Sequence, residues 1–329
     1  RPELKKYVDD VKIAVKTVSG LNLCTEAAFV LPVMPYSLAD EGGYKSDWLD
    51  MGGWVQLLND IGIVTDIYTP YEIMYGSWDL SKYKVIIMSD CPVLPEKVNS
   101  VLNEYVRNGG AIIVSGRTPA KNLRNQNLTN KLFADSHEKS FIADHFVTNL
   151  ANEKTPCKDI INAVKKPDKI SLGQGSVFWI GEKIGKAYWG QARRERIYGN
   201  TPPVYVKPHY TQTAIVLREY IRNNLNETLT KIIDDRMVSY DSKNGSISVV
   251  PFLKSSNNYN GAKLFIINNG RGRHRSLELK FTKNLANAPC QVWTDFDRRF
   301  NMTVDEKGKL EVPDFASVAF VSFCDIFPL

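Results

Sequence analysis

Apolar residues fall into two successive rhythms along the 329-residue chain. At the amino end Leu4, Tyr7, Val8, Val11, Val15 and Val18 recur at spacings of three and four among Lys5, Lys6, Asp9 and Lys12, which predicts a helix over residues 3–19. A short buried strand follows over 27–33, bounded by Pro32. Ser46 can cap a helix that carries Trp48, Leu49, Met51, Trp54, Val55, Leu57 and Leu58 and ends at Gly62. Residues 63–68 form the next strand, and a tyrosine-rich segment with Trp78 leads through 79–83 into a strand over 84–89. Pro95 opens another helix, striped by Val98, Leu102, Tyr105 and Val106 and stopped by Gly109-Gly110, before a strand over 111–115.

Aliphatic strands alternating with helices of about 15 residues specify βαβ units, so the first part of the chain is expected to be a doubly wound parallel sheet of flavodoxin-like or class I amidotransferase-like type. Residues 117–170 are polar and weakly patterned, an irregular insertion whose most periodic piece is 157–165. Gly173-Gln174-Gly175 reads as a tight turn ahead of a strand over 176–181 that completes the sheet, and 214–229 as a closing helix. From residue 231 the rhythm shortens. Strands over 246–252, 263–268, 276–281, 291–295 and 317–323, separated by Asn/Gly-rich turns, predict an antiparallel β-sandwich. The expected division is a connector helix over 1–20, an α/β domain over 21–230 and a sandwich over 231–329.

With 43% hydrophobic and 24% charged residues the chain is expected to be globular, and 21 Gly and 16 Pro exclude collagen-like and low-complexity classes. A formal net charge of +6, from 42 basic and 36 acidic residues spread along the sequence, marks no dedicated nucleic-acid surface. The longest aliphatic runs, 85–88 and 111–114, fall far short of the roughly 20 residues that cross a bilayer, which predicts a soluble chain. The opening residues carry no signal-peptide pattern, and a start at Arg1 reads as processed or truncated; secreted and cytoplasmic locations both stay open. Cys24, Cys91, Cys157, Cys290 and Cys324 contain no CxxC pair and are expected to be free, mostly buried thiols. Glycosylation sequons at Asn127, Asn226, Asn244 and Asn301 are no more than chance supplies in a chain rich in Asn.

No Walker loop, HExxH or strand-following GxGxxG occurs, so no nucleotide site is expected. Strand spacing of this kind invites a Cys–His–Glu amidotransferase reading, in which a cysteine on a strand-to-helix elbow is the nucleophile. The elbow after the fourth strand reads Val114-Ser115-Gly116-Arg117-Thr118 and holds no cysteine, while Cys91, after the third strand, reads as a buried structural thiol. His137, His145, His209 and His274 lack metal-ligand spacing, so neither metal nor cofactor is assigned. Asp234-Asp235 and the Asp295/Asp297 pair are given turn and capping roles, and no pair of carboxylates is nominated for glycosidase chemistry. Residues 186–210 gather Tyr188, Trp189, Arg193, Arg194, Arg196, Tyr198, His209 and Tyr210 in a Gly/Pro-containing connection. Aromatic faces with Arg forks suit a sugar ring or a partner protein; the other reading is a loop whose aromatics pack on their own domain.

The run Asp79-Leu80-Ser81-Lys82-Tyr83-Lys84-Val85-Ile86-Ile87, followed by residues 101–114 (Val-Leu-Asn-Glu-Tyr-Val-Arg-Asn-Gly-Gly-Ala-Ile-Ile-Val), resembles the amidotransferase-like middle domain of glycoside hydrolase family 42 β-galactosidases. Residues 173–181 are similar to a late strand of that domain, and 264–269 with 312–320 to the family's C-terminal sandwich. The resemblance implies a domain that has lost its nucleophile, mediates trimerisation and lies between a catalytic barrel and a small sandwich. Such a barrel, with its two glutamates, would precede residue 1, and the first helix resembles the connector leaving it. On this reading the chain is a non-catalytic accessory and oligomerisation region shaping a carbohydrate site supplied mainly by the barrel. The apolar surface of the first helix and of the Trp48/Trp54 helix is then expected to be buried in a partner. A stand-alone glycan- or protein-binding scaffold and an autonomous enzyme with an unrecognised site are the alternatives.

Overall fold

A computed structural model describes residues 9, 12–25, 27–32, 48–60, 63–76, 78–124, 126–128, 168–180, 183–185, 237–240, 247–253, 261–268, 276–281 and 285–323. The chain divides into two compact units, one of Thr25–Asp234 and one that joins Arg1–Cys24 to Asp235–Leu329.

In the second of these units, residues 12–18 form helix α1 and Asn22–Leu23 form strand β1. β1 pairs antiparallel with β9 (Ile247–Leu253), and Lys263 Nζ donates to the Thr17 carbonyl at 2.6 Å, which is why the amino end groups with the distant strands. Val15, on the predicted stripe of α1, and Ile13, on its opposite side, are 63% and 39% exposed.

The α/β unit is built on a six-stranded sheet. Parallel strands β2 (Ala27–Val30), β3 (Thr65–Tyr68), β4 (Val85–Ser89), β5 (Ala111–Ser115) and β7 (Gly175–Ile180) run in the spatial order β3-β2-β4-β5-β7. β2 and β4 are buried at every residue, as continuous aliphatic runs in a covered parallel sheet require. Helix α2 (Trp48–Asp60) joins β2 to β3 in the sequence, α3 (Pro70–Tyr75) follows β3, and α4 (Glu96–Arg107) lies between β4 and β5. The α4 stripe of Val98, Leu102, Tyr105 and Val106 is buried, with Glu96 in the first turn and Arg107 in the last, each favourable to the helix dipole.

Two expectations for this unit are corrected. The sheet is mixed, because β6 (Asp168–Leu172) pairs antiparallel with β7 at the sheet edge, so the predicted irregular insertion of 117–170 gives way to a strand at its end. β6 escapes pattern reading because it is polar and half-exposed, as an edge strand permits. Its turn onto β7 is tied to the carboxyl end of α4, with Gln174 N–H donating to Arg107 O and Ser176 N–H to Gly110 O. Gly173 has φ 63°, and a Cβ there would come within 2.6 Å of Arg107 O, so both backbone sign and space demand glycine. Second, Trp54 of α2 is fully buried inside this unit and leaves no indole surface for a partner.

The other unit is entirely antiparallel in its sheets. Order β1-β9-β10-β15-β12-β13 forms one, with β10 (Lys263–Asn268), β12 (Pro289–Thr294), β13 (Arg298–Thr303) and β15 (Val318–Ser322). Order β14-β11-β8 forms the other, from β8 (Val238–Tyr240), β11 (Leu277–Phe281) and β14 (Lys309–Val312). Ile247, Val249, Leu264, Ile266, Val292 and Val321 from the large sheet share one core with Val238, Leu277, Leu279, Leu310 and Val312 from the small one. The Asp295/Asp297 pair takes its expected turn role: Asp295, at φ 51°, accepts the N–H groups of Ala316 and Ser317, and Arg298 bridges to Asp295, Asp297 and Asp314.

Candidate functional site

In an open α/β sheet, ligands sit beyond the carboxyl ends of the strands where the strand order reverses, here between β2 and β4. The loops after β4, β5 and β7 and the first half of α2 meet at this pole. Asp90, the residue after β4, has φ 36° and is fully buried. Its carboxylate accepts both arms of a guanidinium fork, from Arg117 Nε at 2.7 Å and Nη2 at 2.8 Å, and lies 3.5 Å from Lys183 Nζ. Burial pushes the Asp90 carboxyl up, but the Arg117 hydrogen bonds and the Arg117 and Lys183 charges outweigh it and hold it below its ordinary value.

Beside it, Ser115 Oγ donates to Asp50 Oδ2 at 3.3 Å, with both residues fully buried. Trp179 Nε1 donates to Gly116 O at 2.9 Å and closes the elbow. Helix α2 approaches this corner through Gly53, where a Cβ would lie 1.6 Å from Gly185 O; at Gly185 a Cβ would lie 1.9 Å from Asp50 O. The two glycines let helix and loop touch backbone to backbone.

The arrangement is a filled pole. Cys91 Sγ donates to Val93 O at 3.3 Å and is fully buried, which bears out its structural reading. Ser115 is equally inaccessible. The buried Ser89 hydroxyl and Trp54 indole N–H have no hydrogen-bond partner. All four histidines lie outside the described residues, as do Tyr188, Trp189, Arg193, Arg194, Arg196, Tyr198, His209 and Tyr210, so the proposed aromatic and arginine site has no geometry here. Among the described residues no group of three or more His, Cys, Asp or Glu could hold a metal ion, and no helix is long and apolar enough to cross a membrane. Sequence reading missed Asp90, Arg117, Lys183 and Asp50 as a set. The available signal was a charged residue within three positions of the end of each of three aliphatic strands.

A second polar and aromatic cluster is built on β3. Asp66 accepts from Thr25 Oγ1 at 2.7 Å, Tyr83 OH at 2.5 Å and Lys82 Nζ at 3.3 Å, and the Tyr68 hydroxyl, 3.0 Å from the carboxylate, shares its one proton between Asp66 and the adjoining Tyr83 oxygen. Burial alone would raise the Asp66 carboxyl, but these donors, Tyr83 first, leave it lowered; burial and the carboxylate raise the Tyr83 phenol. Trp78 rests on Tyr68 with ring centroids 4.1 Å apart, and Lys82 Nζ lies 4.6 Å from the Tyr83 ring centre.

Comparison with known proteins adds the family context. Residues 45–138 match the family model described as the β-galactosidase trimerisation domain. β-Galactosidase BgaA of Clostridium cellulovorans is 25% identical over 217 residues, which cover 60% of this chain and 28% of that protein. Among solved structures, Gan42B, a GH42 β-galactosidase from G. stearothermophilus, is similar with TM-score 0.51 and 14% identity, over 96% of this chain and 43% of its own. A cold-adapted β-galactosidase from Rahnella sp. R3 gives TM-score 0.53 and 10% identity, over 95% and 43%. α-L-Fucosidase isoenzyme 2 from Paenibacillus thiaminolyticus gives TM-score 0.52 and 12% identity, over 95% and 51%. The chain therefore spans between about a quarter and a half of the length of these proteins. The resemblance to the GH42-type β-galactosidases read from its motifs stands, and its fold is one that those enzymes contain.

Proposed function

For a chain that carries a β-galactosidase trimerisation-domain match, we propose a non-catalytic, oligomerising role within a β-galactosidase-type glycoside hydrolase. The observation that carries this reading is the domain match over 45–138, which falls on the β3-to-β5 portion of the α/β unit whose carboxyl-end pole is closed by Asp90, Arg117 and Lys183. Counted by order in the sequence, the parallel strands run 2-1-3-4-5, which supports the flavodoxin-like and amidotransferase-like reading of this unit. A cysteine enzyme on that scaffold needs an accessible thiol at an elbow. Here the elbow residue is a buried serine facing a carboxylate, and the neighbouring thiol points into its own loop.

The two antiparallel sheets with a shared core support a sandwich as the second domain. In this proposal the pair of domains shapes a sugar site whose catalytic groups come from another part of the protein, and Trp189 and Arg194 take part in recognising carbohydrate or a partner. The similar α-L-fucosidase makes the substrate a matter for assay rather than architecture. The isolated chain should show no turnover of chromogenic galactosides or fucosides. Turnover that survives repurification and is lost on alanine replacement of Ser115 would refute the non-catalytic role, and unchanged glycan and partner binding in W189A and R194A would remove the 186–210 site.

A further inference from the structure

Large apolar side chains left in contact with water are unevenly placed in the α/β unit. Within residues 67–78, Ile67, Tyr71, Tyr75 and Trp78 are 46%, 50%, 80% and 37% exposed. Tyr71 and Tyr75 stand four residues apart on α3 and so share one helix face, and Ile67 belongs to β3, which ends the sheet. Among the described residues no strand pairs with the outer edge of β3. Exposed aromatics beside an open edge are what folded proteins cover.

Trp78 and the backbone of α3 are held in place before any partner arrives. Trp78 lies on Tyr68, whose hydroxyl is bound by Asp66 and Tyr83. Gly76 makes room for the indole, since a Cβ there would come within 2.4 Å of Trp78 Nε1. Helix α3 is fixed by a full capping box, Thr69 Oγ1 accepting from Glu72 N–H and Glu72 Oε2 accepting from Thr69 N–H at 2.6 Å. Ordered aromatic side chains lose little entropy on association, which is the character of interface hot spots.

We propose that the α3 face, with Tyr71, Tyr75 and Trp78 at its centre beside the open edge of β3, docks against a second copy of this chain. The inference rests on the oligomerising role proposed above and gives it a location. Two observations choose this occupant. The face lies wholly inside the stretch 45–138 that matches a trimerisation domain. Its rim carries both signs, Glu72 and Asp79 against Lys82, so it complements a surface of its own composition; a nucleic acid would call for one sign.

Sedimentation equilibrium on the 329-residue chain and on the variants Y75S, W78A and I267S tests this. Ile267 is also exposed but belongs to the other unit, so I267S is the control. Wild type and I267S should associate equally, and Y75S should weaken association roughly 30-fold or more at an unchanged thermal midpoint. Because W78A also removes the ring that covers Tyr68, Y75S alone decides if W78A unfolds. Association of wild type and Y75S with equal affinity would overturn the face and leave the oligomerising role intact. A single-chain species at every concentration would overturn both. Titration with a galacto-oligosaccharide supplies the last arm: sugar binding lost in Y75S, with association unchanged, would replace the second copy with a glycan as occupant.

Discussion

Replacing Asp90 with Asn removes a buried carboxylate that faces both Arg117 and Lys183, while keeping a residue type that tolerates φ 36°. Breaking a buried pair in this way costs about 3–5 kcal/mol, so urea titration of D90N should show that order of loss in the α/β unit. The pH dependence follows from the depressed Asp90 pKa. A carboxyl lowered on folding contributes stability that is fully present above its unfolded value, near 3.9, and is lost as the pH falls through the lower folded value. D90N should therefore lose less stability than wild type on acidification from pH 5 to pH 2, and an equally steep loss would count against the cluster. Cysteine reactivity reads the same interior. Burial pushes the Cys290 thiol up to about 11, and Cys91 is fully buried, so peptide-resolved iodoacetamide labelling at pH 7.5 should spare both in the native chain and modify both in denaturant. Labelling of native Cys91 would reopen the thiol-enzyme reading. Of these residues, the sequence marked Cys91 and the Asp295 turn but not Asp90, because its partners Arg117 and Lys183 meet it only through three separate strand ends.

At the scale of elements, the Gly53–Gly185 contact holds α2 against the loop after β7. G53A places a methyl group where Gly185 O already sits, and neither backbone atom can step aside as a side chain would. The expected cost is on the order of 3 kcal/mol or more, visible as a lower thermal midpoint, and a midpoint within a degree of wild type would contradict the packing. Elements with a single strong period were legible before any coordinates: α4, β4 and β5 emerge with the stripe and the aliphatic runs that predicted them. β6, β8, β13 and β14 were not. β13 is Arg298-Arg299-Phe300-Asn301-Met302-Thr303 on the sheet edge, where Phe300 and Met302 alone supply the apolar side, and β8 has three residues, so neither offers an alternation long enough to mark a strand. β8 pairs with the distant β11, where local pattern carries no information, whereas β13 folds straight back on β12 through residues 295–297.

For the whole molecule, the α/β-then-β order was written in the change of rhythm near residue 230, whereas the return of residues 1–24 to the second unit was not, since β1 is two residues long and pairs with β9 more than 200 positions away. The functional reading likewise came from order rather than from a reactive group: a strand, a helix ended by Gly-Gly and a strand, then a closed pole where an enzyme of this type would hold its nucleophile. The support for association is the match of residues 45–138 to a β-galactosidase trimerisation domain. The most direct test is the sedimentation-equilibrium mass of the 329-residue chain across micromolar concentrations. A reversible species of three chains is the expected result, and a mass of one chain throughout that range would contradict it.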